Sequence, residues 1–82
     1  MKKLIKFYSK TCGPCKVLDK NLKAAEVEYE PIEVNTPKGE TLSYKYDIRT
    51  VPTLVLLDED DNILKKYAGI LNVEQIKHFV NE

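Results

Sequence analysis

The stretch Leu4-Ile5-Lys6-Phe7-Tyr8-Ser9-Lys10-Thr11-Cys12-Gly13-Pro14-Cys15 runs from a short apolar segment into two thiols separated by Gly-Pro. Residues 4–8 are apolar except for Lys6, and short enough to form an interior strand. Beyond them Cys15, Leu18, Leu22 and Ala25 recur at spacings of three and four, while Lys16, Asp19, Lys20 and Lys23 take the opposite side. That is the pattern of an amphipathic helix. Pro14 falls in its first turn, where a missing N–H costs little. The chain has 2 cysteines, so both of its thiols lie within this one turn.

Working outward, residues 27–34 read as a second strand, with Pro31 marking an edge strand or a bulge. Thr36 caps a short helix that continues to about residue 46. Thr53-Leu54-Val55-Leu56-Leu57 is a strongly apolar strand, and residues 63–68 return as a fourth. Between them Glu59-Asp60-Asp61-Asn62 forms a solvated acidic turn, without the alternating oxygen ligands and glycine of a calcium loop. Asn72-Val73-Glu74-Gln75 has the spacing of a capping box, and Ile76, Phe79 and Val80 give the last helix its apolar face. The predicted order is βαβαββα. It implies one α/β domain over residues 1–82, a four-stranded mixed sheet with helices on both faces.

With 82 residues, 43% of them hydrophobic and 32% charged, the chain has the composition of a small globular domain. No run reaches the roughly 18 apolar residues of a membrane span. The opening Met1-Lys2-Lys3-Leu4-Ile5-Lys6 is too broken by lysine for a signal-peptide core, which argues against export. Thirteen basic and 13 acidic residues cancel, so there is no dominant basic face for a nucleic acid. The expected setting is the cytoplasm, where thiols stay reduced and a lone close pair points to redox or metal chemistry.

A thiolate is the attacking species in disulfide exchange, so the reactive cysteine needs a lowered pKa. Cys12 would sit at a helix start, where unpaired N–H groups and the positive end of the dipole favour an anion. Lys10 and Lys16 would add positive potential. Cys12 is therefore the expected nucleophile, and Cys15, one turn in and on the apolar face, the resolving thiol. Residues i and i+3 of a helical turn meet the Cα separation of about 4.4–6.8 Å that a disulfide requires. A structural zinc site needs four ligands. His78, or a second subunit, would have to complete it. An inert buried pair is the remaining alternative, and no metal or other cofactor is expected.

The residues quoted above, from Phe7 to Cys15, resemble the strand, loop and active site of the thioredoxin superfamily. Lys45-Tyr46-Asp47-Ile48-Arg49-Thr50-Val51-Pro52-Thr53-Leu54 resembles the segment leading into that family's cis-proline, and Gly69 falls where thioredoxins carry a glycine near the active site. The likeness covers nearly the whole chain but lacks the extra N-terminal strand and helix of full-length thioredoxins. It thus implies a minimal, glutaredoxin-sized thioredoxin fold. By this resemblance Pro52 is a cis-proline facing the disulfide, and the backbone of Val51 pairs with a bound substrate as an added strand. Gly13 and Pro14 form the active-site spacer, Tyr8 lies near it, and Thr50, Val51, Pro52 and Gly69 bind the client. The CGPC spacer accompanies reductants, with potentials near about −270 mV against about −120 mV for periplasmic oxidants.

The chain also departs from the family pattern. Thr11 stands where thioredoxins usually have tryptophan. Lys6 holds the place of a buried aspartate that helps move the resolving thiol's proton, and Pro31 stands near the position of that aspartate's lysine partner. Lys6 has two readings: a stem packed in the core with its ammonium reaching solvent, or a partly desolvated lysine that stabilises a thiolate or accepts a proton. Thr50-Val51-Pro52 also resembles the glutathione-binding segment of glutaredoxins. However, Ala68-Gly69-Ile70-Leu71-Asn72 lacks the Gly-Gly-x-x-Asp that holds the glutathione carboxylate. The resemblance therefore favours a monomeric protein-disulfide reductase recharged by a flavin-containing thioredoxin reductase. Its oxidised protein clients would be ribonucleotide reductase, a peroxidase or a general set. The alternatives are a glutathione-dependent glutaredoxin-like reductase and a binding subunit that uses an apolar patch of Tyr8, Val51 and Ile70 and leaves the disulfide idle.

Overall fold

The computed structural model describes residues 2–81; Met1, the first residue of the lysine-broken opening stretch, and Glu82 lie outside the described residues. The elements run β1 (Lys3–Tyr8), α1 (Gly13–Ala24), β2 (Glu30–Glu33), α2 (Pro37–Lys45), β3 (Thr53–Leu57), β4 (Ile63–Ala68) and α3 (Val73–Val80). The strands form one sheet in the order β2-β1-β3-β4. β1 runs parallel to β2 and antiparallel to β3, and β3 runs antiparallel to β4. This is the expected mixed α/β fold.

Strand alternation divides the core between the two faces of the sheet. Leu4, Leu54 and Leu56 pack with Leu18 and Leu22 of α1 and with Ile76 and Phe79 of α3. Ile5, Phe7, Val55 and Leu57 face the other way, against Ile32 and Tyr46. β3 lies in the middle of the sheet and is buried along its whole length, which is why its sequence is continuously apolar instead of alternating. Each fully buried leucine or phenylalanine stabilises the fold by roughly 1.5–3 kcal/mol relative to its exposed form.

β2 is shorter than the sequence suggests. Pairing with β1 begins at Ile5 opposite Glu30. Val27 and Tyr29, which the apolar pattern assigned to the strand, pack instead against the cluster beneath α1 and α3. Pro31 lies on this edge strand, as a residue without an N–H requires.

The helix caps follow their sequence signals. Asn72 and Gln75 exchange the two hydrogen bonds of a capping box, 2.8 and 2.9 Å. Thr36 Oγ1 accepts from the Gly39 amide at 3.0 Å. Lys66 on β4 donates to the carbonyls of Tyr46 and Asp47 at 3.2 and 3.1 Å, tying the end of α2 to the sheet. Such caps contribute about 1 kcal/mol each.

The register also decides where chemistry can happen. Phe7 pairs with Thr53, and Thr53 pairs with Ala68. The loop after β1, the segment before β3 and the segment after β4 therefore emerge at the same end of the sheet. Cys12–Cys15, Val51–Pro52 and Gly69 occupy those three segments.

Candidate active site

Cys12 is the N-cap residue of α1. Its backbone is extended, its amide donates to Ser9 O at 3.3 Å, and its sulfur accepts the Cys15 amide at 3.1 Å. One of the unpaired donors of the helix start thus points at this sulfur, at the positive end of the dipole. Cys12 and Cys15 are joined in a disulfide with Cα atoms 5.3 Å apart. Cys12 is partly exposed, whereas Cys15 is 3% exposed and belongs to the buried face with Leu18 and Leu22. This asymmetry matches the expected division between an accessible sulfur and an inner one. Gly13 and Pro14 are both exposed at the start of α1. A Cβ added at Gly13 would meet nothing within 4 Å.

The Val51–Pro52 peptide bond is cis, as the family resemblance implied. Pro52 is buried, Val51 half-buried and Thr50 exposed. Two hydrogen bonds brace the turn: Gly69 N donates to Pro52 O at 2.9 Å, and Thr53 Oγ1 donates to Thr50 O at 2.8 Å. Gly69 has φ +126°, a conformation that side-chain-bearing residues rarely adopt. Thr50 and Val51 also line a groove of about 510 Å³ with Ser43, Tyr44, Ile48 and Arg49. Tyr44 stands 92% exposed there. Asp47 and Arg49 pair at 3.0 Å, and His78 is exposed on α3. Among the described residues no group of three or more His, Cys, Asp or Glu side chains is arranged to hold a metal ion.

A second cavity, of about 230 Å³, lies behind the disulfide and is lined by Lys6, Tyr8, Ser9, Lys10, Cys15, Lys16 and Asp19. It places Tyr8 and the three lysines of the sequence reading around Cys15. It also corrects two expectations. Lys6 does not send its ammonium to solvent: the residue is 6% exposed, and its Nζ pairs with Asp19 Oδ1 at 3.0 Å. Asp19 is not on the solvated side of α1 but turns toward that ammonium, its side chain 29% exposed. A buried ammonium needs a partner, and a carboxylate one turn beyond Cys15 can reach it.

Tyr29 completes this network and was missed by the sequence reading. Its hydroxyl donates to Asp19 Oδ1. The other carboxylate oxygen meets Lys23 at 3.2 Å. Together these partners hold the Asp19 carboxyl at about 2: the Tyr29 hydroxyl lowers it most, burial opposes, and Lys6 and Lys23 lower it further. Burial, followed by the adjacent carboxylate, pushes Tyr29 up to about 12.

A carboxyl held at about 2 instead of 3.8 contributes about 2 kcal/mol to folding at neutral pH, less in salt. Because the folded value is the lower one, this contribution is present above 3.8 and is lost as pH falls toward 2. Tyr29 has the opposite sign: its contribution is present below 10 and is lost as pH rises toward 12. Urea unfolding across pH is expected to show Asp19→Asn less stable than the parent at neutral pH, with the two curves converging near pH 2. A constant gap down to that pH would contradict the network.

The thioredoxin family model matches residues 1–82. A thioredoxin of Buchnera aphidicola subsp. Baizongia pistaciae is 33% identical over 82 residues, 95% of this chain and 74% of its own length. A thioredoxin of Chlamydia pneumoniae is 28% identical over 96% of this chain and 79% of its own. Among solved structures, an uncharacterized thioredoxin-like protein of Clostridium perfringens superposes with a TM-score of 0.85 at 29% identity, covering 99% of this chain and 69% of that one. Chloroplastic thioredoxin z gives 0.78 at 26% identity, covering 99% and 76%. With a match along its full length and the Cys12–Cys15 pair in place, this chain belongs to the thioredoxin family of thiol–disulfide oxidoreductases.

Proposed function

We propose that this protein is a protein-disulfide reductase, with Cys12 as nucleophile and Cys15 as resolving thiol. The observation that carries the reading is the placement of the Cys12 sulfur at the start of α1, accepting the Cys15 amide, while Cys15 lies buried behind it. In the reduced protein the same helix start favours the Cys12 thiolate. That thiolate attacks one sulfur of a client disulfide, forming a mixed disulfide and expelling the client's other sulfur as a thiolate. Cys15 then attacks Cys12 Sγ. The Cys12–client bond breaks, its electron pair leaves with the client sulfur, and the Cys12–Cys15 disulfide closes. Two electrons and two protons have passed to the client, carried by the dithiol without a bound cofactor.

Thr50, Val51, Pro52 and Gly69 form the client surface in this reading, with the Val51 backbone pairing with the client chain. Gly13, Pro14, Lys10 and Tyr8 shape the surroundings of the two sulfurs. The protein acts as a monomer in a reducing compartment such as the cytoplasm, where a flavin-containing thioredoxin reductase returns the electron pair. The one glycine, Gly69, the amide of Asn72 in place of a helix-start acid, and the CGPC spacer favour that reductant over glutathione.

Insulin reduction, run in parallel with thioredoxin reductase plus NADPH and with glutathione plus its own reductase, tests the proposal. Turnover is expected with the first couple. Turnover with glutathione alone would establish the glutaredoxin-like alternative, and turnover with neither would contradict the enzymatic reading.

A further inference from the structure

The Lys6–Asp19–Tyr29 network has no part in the exchange steps above, yet it opens onto the cavity that Cys15 lines. Asp19 follows Cys15 by four residues on α1, so the two side chains share one face of the helix. Lys6 is held from several sides. Asp19 Oδ1 is 3.0 Å from its Nζ, and the rings of Tyr8 and Tyr29 lie 5.0 and 5.3 Å away, within cation–π range. The ammonium therefore has a fixed position behind the disulfide.

The charged and titratable groups around Cys15 can be followed element by element. β1 supplies Lys6 and Tyr8, and the loop after it supplies Lys10. α1 supplies Lys16 and Asp19, with Lys23 on the far oxygen of Asp19. Tyr29 arrives from the segment before β2 as a hydroxyl donor to Asp19. On the client side, Asp47 and Arg49 neutralise one another. Positive charge predominates, and an anion at Cys15 is the state such a surrounding favours.

We propose that Lys6, anchored by Asp19, stabilises the thiolate of Cys15, so that the resolving cysteine enters its attack already ionised. Lys6 and Asp19 are positioning residues that act through Cys15, and the proposal rests on the reductase reading above. The Cys15 proton leaves to water through the cavity before the attack. Cys15 Sγ then bonds to Cys12 Sγ, the Cys12–client bond breaks, and the departing client thiolate takes a proton from water. Asp19 does not serve as the proton acceptor. A carboxyl held at about 2 lies roughly six pH units below an ordinary thiol, and accepting that proton would be strongly uphill.

Stopped-flow reaction of the reduced protein with dithiobis(nitrobenzoate) separates the two steps. The first released thionitrobenzoate reports attack by Cys12, and the second reports displacement by Cys15. Recorded across pH, the midpoint of the second phase is expected to rise by about one pH unit in Lys6→Met. Below the midpoint that phase should slow about tenfold relative to the first. Lys6→Arg, which keeps the cation, should restore the parent profile. Asp19→Asn keeps an oxygen that accepts from Lys6 Nζ but removes the negative charge, so it should move the midpoint down, opposite to Lys6→Met.

An unchanged midpoint in Lys6→Met, or shifts of the same sign in both variants, would overturn the proposal. If Lys6→Met does not fold, Lys6→Gln takes its place: a raised midpoint supports the assignment, and an unchanged or lower one overturns it. Absence of the first phase in the parent protein would instead sink the reductase reading, and this inference with it.

Discussion

Cys12→Ser is expected to abolish insulin reduction, by at least about 10³-fold, the scale on which loss of an obligate nucleophile is felt. Cys15→Ser should also stop turnover, but for a different reason, and the difference is diagnostic. The Cys12 sulfur lies at the mouth of α1 with the helix-start amide of residue 15 directed at it, and serine at position 15 leaves that backbone donor in place. Attack on the client therefore persists, while the second displacement is lost. The Cys15→Ser protein should accumulate a stable covalent adduct with an oxidised client, visible as a mass increase removed by dithiothreitol. The Cys12→Ser protein should accumulate none, because its remaining thiol is buried against Leu18 and Leu22. Equal trapping by both variants would contradict the assignment of roles.

Gly39→Ala is expected to be the most damaging single-methyl substitution in the chain. A Cβ at Gly39 would lie 1.8 Å from the Glu33 carbonyl oxygen, 2.7 Å from its carbonyl carbon and 2.9 Å from the Val34 Cα. All three are backbone atoms at the end of β2, so no side-chain rotation relieves the overlap. α2 must move away from the sheet, or β2 must leave its pairing with β1. Overpacking of this kind costs about 3 kcal/mol or more. In a domain of this size that lowers the melting temperature by roughly 10–20 °C. Gly13→Ala is the control, since a methyl there enters open space within a helix and should stabilise by up to about 1 kcal/mol. Thermal unfolding of both variants by circular dichroism measures the contrast. A Gly39→Ala protein melting within a few degrees of the parent would show that α2 is not docked as described.

Gly39 also illustrates what the amino-acid string conceals. Its glycine is required by a backbone 1.8 Å from where its side chain would begin, a contact between segments that no local pattern encodes. Strands β3 and β4 were legible residue for residue, because β3 is buried on both faces and an acidic turn separates it from β4. The caps at Thr36 and Asn72 were legible because capping is a local transaction between a side chain and the next turn. The ends of β2 were not, since Val27 and Tyr29 are apolar for the sake of the helical face and not of the strand.

The two sulfurs and the cis-proline turn were also readable, the first from spacing and the second from family resemblance alone. Asp19 was misplaced for a physical reason. Helical periodicity sorts residues by polarity, and a carboxylate drawn inward by a buried lysine violates that sorting. Tyr29 could be joined to Asp19 only once the loop before β2 had been folded back over α1. The pair Lys6 and Asp19 is thirteen residues apart in sequence, beyond the reach of any spacing rule.

The pH dependence of Cys12 alkylation in the reduced protein, with the modified residue identified by mass spectrometry, bears most directly on the whole account. Cys12 is expected to be labelled before Cys15, with a midpoint near about 7 set by its place at the start of α1. Labelling of Cys15 first, or a Cys12 midpoint at the roughly 8.5 of a free thiol, would contradict it.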